Sequence, residues 1–240
     1  MVSERPLAPR PQEYVGRVVE KTYLTPKILH VRVKLEEPEL IEFRAGQFIQ
    51  IIIAPRTLRQ YSICSPPSLK AELELCVDFS PGGEGSRFMI AAREGEDIRF
   101  RGPFGVFVVP ETEHRPLAFI ATGAGVAPIR SMVHDALARQ SGGALELLFG
   151  NRSEDDLLYD GEFRDLAARD TRFRYHPTLS SPGAGWQGER GRVTEILERQ
   201  ETLAGRPYFI CGSPAMVDDT RKVLAARGVP ERDTHFEKFF

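Results

Sequence analysis

The hydrophobic pattern of this chain changes its period once, near Pro110, and that change limits the fold more than any other feature. Before it, apolar residues recur at every second position. Leu29, Val31, Val33 and Leu35 alternate with His30, Arg32 and Lys34, and Leu73, Leu75, Val77 and Phe79 alternate with Glu72, Glu74, Cys76 and Asp78. Successive side chains of a strand point to opposite faces, so this spacing predicts half-buried antiparallel strands. Further strands are predicted at Tyr14–Leu24, Gln47–Ile53, Arg59–Ile63 and Asp97–Arg101. Short strands punctuated by Gly and Pro predict a small barrel. One helix interrupts it, predicted over Ser86–Arg93 with Ser86 as N-cap and Gly95 past its end.

After Pro110 the apolar residues run together. Leu117–Ala121 is a continuous apolar stretch, followed by Gly123 and Gly125 and then a helix expected to open at Pro128, with Ile129, Met132, Val133, Ala136 and Leu137 on one face. Leu145–Gly150 is the next run. A helix near Asp155–Ala168, a strand at Arg172–Pro177, a helix near Val193–Arg199, a strand at Tyr208–Cys211 and a helix at Pro214–Ala226 follow, the last capped by Ser213 and stopped by Gly228. Alternating elements with fully apolar strands predict a parallel sheet covered by helices. The 240 residues suit two domains, predicted as 1–112, with a Pro- and Arg-rich leader at Met1–Gln12, and 113–240.

Composition removes several function classes. The net charge is -2, which leaves no global electrostatic footprint for nucleic acid. No apolar run approaches the roughly 20 residues that a membrane span needs. The leader has no apolar core of a secretory signal, so the cytoplasm is the expected location. Cys64, Cys76 and Cys211 are far apart and are the only cysteines, whereas a conventional [2Fe–2S] centre takes four thiolates. The histidines His30, His114, His134, His176 and His235 are scattered without metal-ligand spacing.

Four segments carry chemistry. Arg59-Gln60-Tyr61-Ser62 reads as an edge strand or as a ligand strand. In the second reading the Arg59 fork meets phosphate oxygens, Tyr61 offers a flat surface to a ring, and Ser62 supplies a hydrogen bond to a ring nitrogen. Gly82-Gly83-Glu84-Gly85-Ser86 leads into a helix, as a hairpin tip or as an anion site made by free N–H groups and the helix dipole. Thr122-Gly123-Ala124-Gly125-Val126-Ala127-Pro128 joins a buried strand to a helix and departs from the dinucleotide fingerprint, since Pro128 holds the third glycine position. Cys211-Gly212-Ser213-Pro214 ends a later strand, where open α/β sheets bind ligands.

In this order, and with Ala45-Gly46-Gln47-Phe48, Gly102-Pro103-Phe104-Gly105 and the ending Phe236-Glu237-Lys238-Phe239, the chain resembles the ferredoxin–NADP⁺ reductase superfamily from about Tyr14 onward. The resemblance implies an antiparallel β-barrel that binds FAD, followed by a Rossmann-like α/β domain that binds NAD(P)H. It implies that Arg59, Gly83, Gly85 and Ser86 hold the FAD pyrophosphate, that Tyr61 packs on the isoalloxazine, and that Ser62 lies near N5. It implies that Thr122, Gly123 and Gly125 approach the NAD(P)H pyrophosphate, and that Cys211 and Gly212 border the nicotinamide. Phe239 or Phe240 would cover the ring face opposite Tyr61, with Glu237 nearby as a proton or polarity element. Arg152 and Arg192 are the candidates for a 2′-phosphate contact, but Leu179-Ser180-Ser181 has serines where an arginine is often found, so NADH and NADPH both stay open. The implied activity is hydride transfer between NAD(P)H and bound FAD, with electrons passed to a ferredoxin or another redox protein. A free flavin reductase and a non-catalytic nucleotide-binding subunit are the alternatives.

Overall fold

The computed structural model describes residues 10–80, 82–139 and 143–239, so the expectation for Phe240 lies outside the described residues. The first half forms a six-stranded antiparallel sheet from β1 (Gln12–Thr25), β2 (Ile28–Glu37), β3 (Phe48–Ala54), β4 (Thr57–Ser62), β5 (Glu72–Asp78) and β6 (Asp97–Phe104), in the order β4-β3-β6-β1-β2-β5. A single bridge between Ile63 and Leu75 joins the two ends and curls the sheet into a barrel. Register explains the alternation. Leu29 faces Val77, Val31 faces Leu75 and Val33 faces Leu73 across β2 and β5, and all six side chains are buried inside.

Cys76 breaks the rule: it stands on the polar side of β5 yet is buried, together with Ile28 and Cys64. The outer face of the barrel is covered there by the second half. Alternation alone cannot report a strand covered on both sides.

The second half is a six-stranded parallel sheet. Its strands are β7 (Leu117–Thr122), β8 (Leu145–Asn151), β9 (Phe173–Leu179), β10 (Glu189–Arg190), β11 (Tyr208–Gly212) and β12 (Thr234–Lys238), in the order β10-β9-β8-β7-β11-β12. Helix α1 (Glu84–Ala91) belongs to the barrel, and α2 (Val126–Ala138), α3 (Asp160–Arg169), α4 (Val193–Arg199) and α5 (Pro214–Ala226) flank the sheet. Phe119 and Ala121 of β7 point toward α2 and the barrel, while Ala118 and Ile120 point toward Val193, Leu197, Val217 and Leu224 of α4 and α5. A fully buried ring such as Phe119 contributes roughly 1.5–3 kcal/mol. None of the described helices is long and apolar enough to cross a membrane.

Several elements differ from the sequence reading. Helix α1 starts at Glu84 with Gly83 as its cap, and Ser86 is a buried residue of its first turn, its hydroxyl donating to the Gly83 carbonyl at 3.2 Å. Helix α2 opens at Val126, because Gly123–Gly125 already coils as a 3₁₀ turn ahead of Pro128. The stretch read as one helix from Asp155 splits into a 3₁₀ turn at Glu154–Asp156, closed by a Ser153–Asp156 capping box, and α3. The Ser213 cap of α5 is as expected, its oxygen accepting from the Met216 N–H at 3.3 Å.

Candidate functional site

Two cavities meet where the barrel touches the parallel sheet. The first, of about 340 Å³, is lined on the barrel side by Phe48, Arg59, Tyr61, Ser62, Gly83, Gly85 and Ser86, and on the other side by Glu237, Lys238 and Phe239. The second, of about 470 Å³, is lined by Thr122, Gly123, Asn151, Arg152, Ser180, Arg192, Ser213 and Met216, with Thr25, Lys27 and Ser80 from the barrel. Asp78 and Ala124 line both, so the two cavities adjoin.

The first cavity is shaped by packing between β4 and the start of α1. A Cβ on Gly85 would stand 2.7 Å from the Arg59 Cγ and 2.7 Å from the Tyr61 hydroxyl oxygen, so only glycine lets these two side chains lie over the helix start. Arg59 donates to the Leu58 carbonyl at 2.9 Å and to the Glu84 carboxylate at 2.6 Å. Both side chains of that ion pair are about half exposed to solvent, where a salt bridge is weak and exchangeable. A phosphate at the helix N-terminus therefore competes with the Glu84 carboxylate for the charge of Arg59. Burial pushes the Tyr61 hydroxyl up to about 12, so it remains a neutral donor. Ser62 ends β4 and is buried. Gln47 accounts for two of the sequence blocks at once: it accepts from the Arg44 N–H at 2.8 Å and donates to the Gly105 carbonyl at 3.1 Å. Phe48 and Phe104 stack beside it, 5.8 Å apart.

The second cavity sits at the point where the sheet order reverses. β7 connects to β8 on one side and lies against β11 on the other, which opens a crevice outside the carboxyl ends of both strands. Gly125 packs onto β11 so closely that a Cβ would lie 2.6 Å from the Cys211 carbonyl carbon and 2.7 Å from the Gly212 Cα. Gly123, at φ +53, has nothing within 4 Å of the same position, so its face is open to a ligand. The Gly123 N–H donates to Asn151 Oδ1 at 3.3 Å, while Asn151 Nδ2 is buried without a partner. An orphaned donor of this kind usually has a ligand or water to satisfy it. Arg152 and Arg192 both face this cavity, and neither has a carboxylate within ion-pair distance among the described residues.

Not every expected residue touches open space. Cys211, Gly125 and Gly212 form the floor beneath the junction and line neither cavity. Burial raises the Cys211 thiol well above its ordinary range, with nearby Glu237 adding to the shift. Glu237 pairs with Cys211 across β12 and β11, and burial lifts its carboxyl to about 7. The Phe239 N–H donates to the Gly212 carbonyl at 2.9 Å, which docks the end of the chain against the first cavity. Lys27, Asn151 and Lys238 also line the cavities without having been given a site role from sequence, as does Ser213, which was expected only as a helix cap. Lys27 sits in the β1–β2 turn, about a hundred residues from the glycine turn it faces, and no local motif marks it.

Residues 16–109 match the oxidoreductase FAD-binding domain, and residues 119–222 match the oxidoreductase NAD-binding domain. The chain is 33% identical to ferredoxin–NADP reductase B of Sorangium cellulosum, over 95% of this chain and 98% of that one. It is 31% identical to the ferredoxin–NAD(P)⁺ reductase component of the naphthalene 1,2-dioxygenase/salicylate 5-hydroxylase systems of a Ralstonia species, over 94% of this chain and 68% of that protein. The crystal structure of the Amycolatopsis cytochrome P450 reductase GcoB superposes with a TM-score of 0.89 at 27% identity, covering 100% of this chain and 73% of its own. Both halves of the fold, both domain matches and the full-length similarity agree: this chain belongs to the ferredoxin–NADP⁺ reductase superfamily of NAD(P)H-dependent flavin oxidoreductases.

Proposed function

We propose that this protein oxidises NAD(P)H at a tightly held FAD and delivers the electrons to a separate redox protein, a ferredoxin or an oxygenase component. The observation that carries this reading is that the two cavities adjoin at Asp78 and Ala124, one floored by β4 and α1 and the other by the glycine turn. The bound flavin supplies the hydride-accepting ring, with two electrons entering from the nicotinamide and leaving to the acceptor. Arg59 and the N–H groups at Gly83, Gly85 and Ser86 hold phosphate, Tyr61 supports the ring, and Ser62 donates a hydrogen bond to it. Thr122 and Gly123 take the nucleotide pyrophosphate, with Gly125 letting the turn approach β11. Arg152 and Arg192 reach the adenosine end. Cys211 and Gly212 shape the floor, Phe239 closes the flavin side, and Glu237 offers a carboxyl that gains or loses a proton near neutral pH.

In this reading the units are 1–112 and 113–240, supported by the change from an antiparallel to a parallel sheet between β6 and β7. The three cysteines are buried and unpaired, which suits a reducing compartment, and we assign the protein to the cytoplasm. The test is the absorption spectrum of the purified protein before and after NADH or NADPH. Yellow protein that bleaches supports the reading. Colourless protein that oxidises NAD(P)H only with added flavin would make it a free flavin reductase, and no change with either nucleotide would make it a binding subunit.

A further inference from the structure

The contact between the two halves contains a polar clamp that the chemistry above does not use. Arg130, on α2, is only 12% exposed at its side chain. Its guanidinium donates to the Cys64 carbonyl at 2.8 Å and to Glu74 of β5 at 2.6 Å, both on the barrel, and to Glu162 of α3 at 2.8 Å, on its own side. It also lies 4.8 Å from the centre of the Tyr159 ring, whose hydroxyl meets His30 of the barrel at 3.0 Å. The next residue, Ser131, is fully buried and donates to the Ser65 carbonyl at 2.6 Å. Two neighbouring side chains of one helix thus grip two neighbouring carbonyls of the barrel.

The places gripped matter more than the number of bonds. Cys64 and Ser65 lie two and three residues beyond Ser62, and the barrel holds that segment rigidly through Ile63 N–H to the Gln47 carbonyl at 3.0 Å and Cys64 N–H to the Glu74 carbonyl at 2.9 Å. Arg130 lies five residues along α2 from Gly125, whose turn is wedged against Cys211 and Gly212. A short, stiff path therefore runs from Ser62 through the clamp to the glycine turn. Its length sets how far apart the two cavities hold their occupants. Hydride transfer requires reacting atoms about 3–3.5 Å apart, and a misplacement of about 1 Å can cost on the order of a hundredfold in rate.

We infer that Arg130 and Ser131 are positioning residues that fix the separation between the flavin side and the nucleotide side of the site. The inference rests on the functional reading above. Neither side chain lines either cavity, so both act through the backbone they hold. A clamp that served stability alone would lower the melting temperature and leave the chemistry of each bound flavin untouched. A positioning clamp moves the rate while binding on either side stays the same.

The experiment compares Arg130→Lys and Ser131→Ala with the wild type, each as flavin-loaded full-length protein. Lysine keeps the charge between Glu74 and Glu162 but cannot serve both carboxylates and the Cys64 carbonyl from fixed directions. Expected results are full flavin occupancy, a Kd for NAD⁺ within about twofold of wild type, and stopped-flow flavin reduction at saturating NADH or NADPH slowed by about tenfold or more in Arg130→Lys. Ser131→Ala should show a smaller loss of the same kind and decides the matter if Arg130→Lys does not fold. The change that NAD⁺ induces in the flavin absorption spectrum should shrink in parallel, and this readout needs no turnover. Unchanged reduction rates and unchanged NAD⁺ difference spectra, with only thermal stability lowered, would overturn the inference. If wild-type flavin is reduced by neither nucleotide, the functional reading fails instead, and the clamp is judged on the NAD⁺ difference spectra alone.

Discussion

Gly85 in the first half of the molecule and Gly125 in the second are both crowded where a Cβ would stand, and the neighbours differ in kind. At Gly85 the crowding atoms belong to the side chains of Arg59 and Tyr61. At Gly125 they belong to the backbone of Cys211 and Gly212. Side chains move aside at modest cost, whereas the backbone of a central parallel strand is fixed by ladders on both sides, here β7 and β12. The barrel therefore builds its ligand surface from adjustable groups laid over a helix start. The parallel sheet builds its surface from the chain itself. The first cleft should lose its ligand when disturbed, and the second should lose its shape.

The sharpest way to break this comparison is Gly125→Ala. Overpacking typically costs about 1–3 kcal/mol, and a chain of this size loses roughly 2–4 °C of Tm per kcal/mol. Calorimetry should show a fall of that order, together with an NAD⁺ Kd raised by tenfold or more. If Tm and Kd both stay at wild-type values, the β7–β11 crevice is softer than its backbone contacts indicate. Gly85→Ala should behave differently, shedding flavin while the flavin-free protein keeps its Tm.

Next in size is Arg59→Ala. A hydrogen bond to a charged group is worth about 1.5–3 kcal/mol, which corresponds to a loss of flavin affinity of roughly 10- to 100-fold. Removing Arg59 also frees Glu84, whose carboxylate then stands beside the proposed phosphate site without its ion-pair partner. Glu84→Gln in the wild-type background should accordingly tighten flavin binding. Flavin titration of both variants checks the pair, and an Arg59→Ala protein purified with full flavin would remove Arg59 from the site.

How far these contrasts could be read from sequence depends on the distance over which the signal travels. The alternation of β2 and β5 and the apolar run of β7 are local, and they identified both halves. Arg59, Tyr61, Ser62 and the two glycine turns could be marked out as candidates, now placed at the two cavities, because each lies within a short motif beside its own strand or helix. Strand β12, Thr234–Lys238, was missed because Thr-His-Phe-Glu-Lys carries no apolar period, and its strand character comes from pairing with β11. The two-residue β10 has no pattern to find. The clamp was invisible for the same reason: Arg130, Glu74, Glu162 and Cys64 come from four separated segments, and only packing brings them together.

A smaller effect is expected at the far end of the nucleotide cleft. Arg152 follows β8 and Arg192 precedes α4, and both face the same cavity as Ser180. Arg152 lies at the end of a strand held by β7 and β9, whereas Arg192 caps a short helix beside the two-residue β10. A guanidinium on a strand end fixed by the sheet meets a 2′-phosphate at lower entropic cost than one on a less tightly paired connection. Arg152→Ala should lower the ratio of NADPH to NADH kcat/KM by several-fold, and Arg192→Ala by less. An unchanged ratio in Arg152→Ala would move the phosphate contact elsewhere in the cleft.

The mildest prediction concerns the residue by which the parallel sheet reaches into the flavin cleft. Glu237 belongs to β12 but lines the barrel's cavity, and burial lifts its carboxyl from 4.5 to about 7. The folded protein therefore holds this proton over a range in which the unfolded chain has already lost it. Between about pH 4.5 and 7 the unfolded state binds fewer protons at this position, so stability falls as pH rises. Below that range the group is protonated in both states, and above it the cost of burying the charge is complete. Glu237→Gln removes the ionisation while keeping the shape. The difference in Tm between the variant and the wild type should grow as pH rises through 7 and then level off. Flavin reduction at saturating NAD(P)H should show a pH dependence centred near 7 in the wild type that the variant lacks. If Tm differs by a constant amount at every pH, Glu237 is solvated in the working protein, and the sheet's strand only packs against the flavin cleft without tuning it.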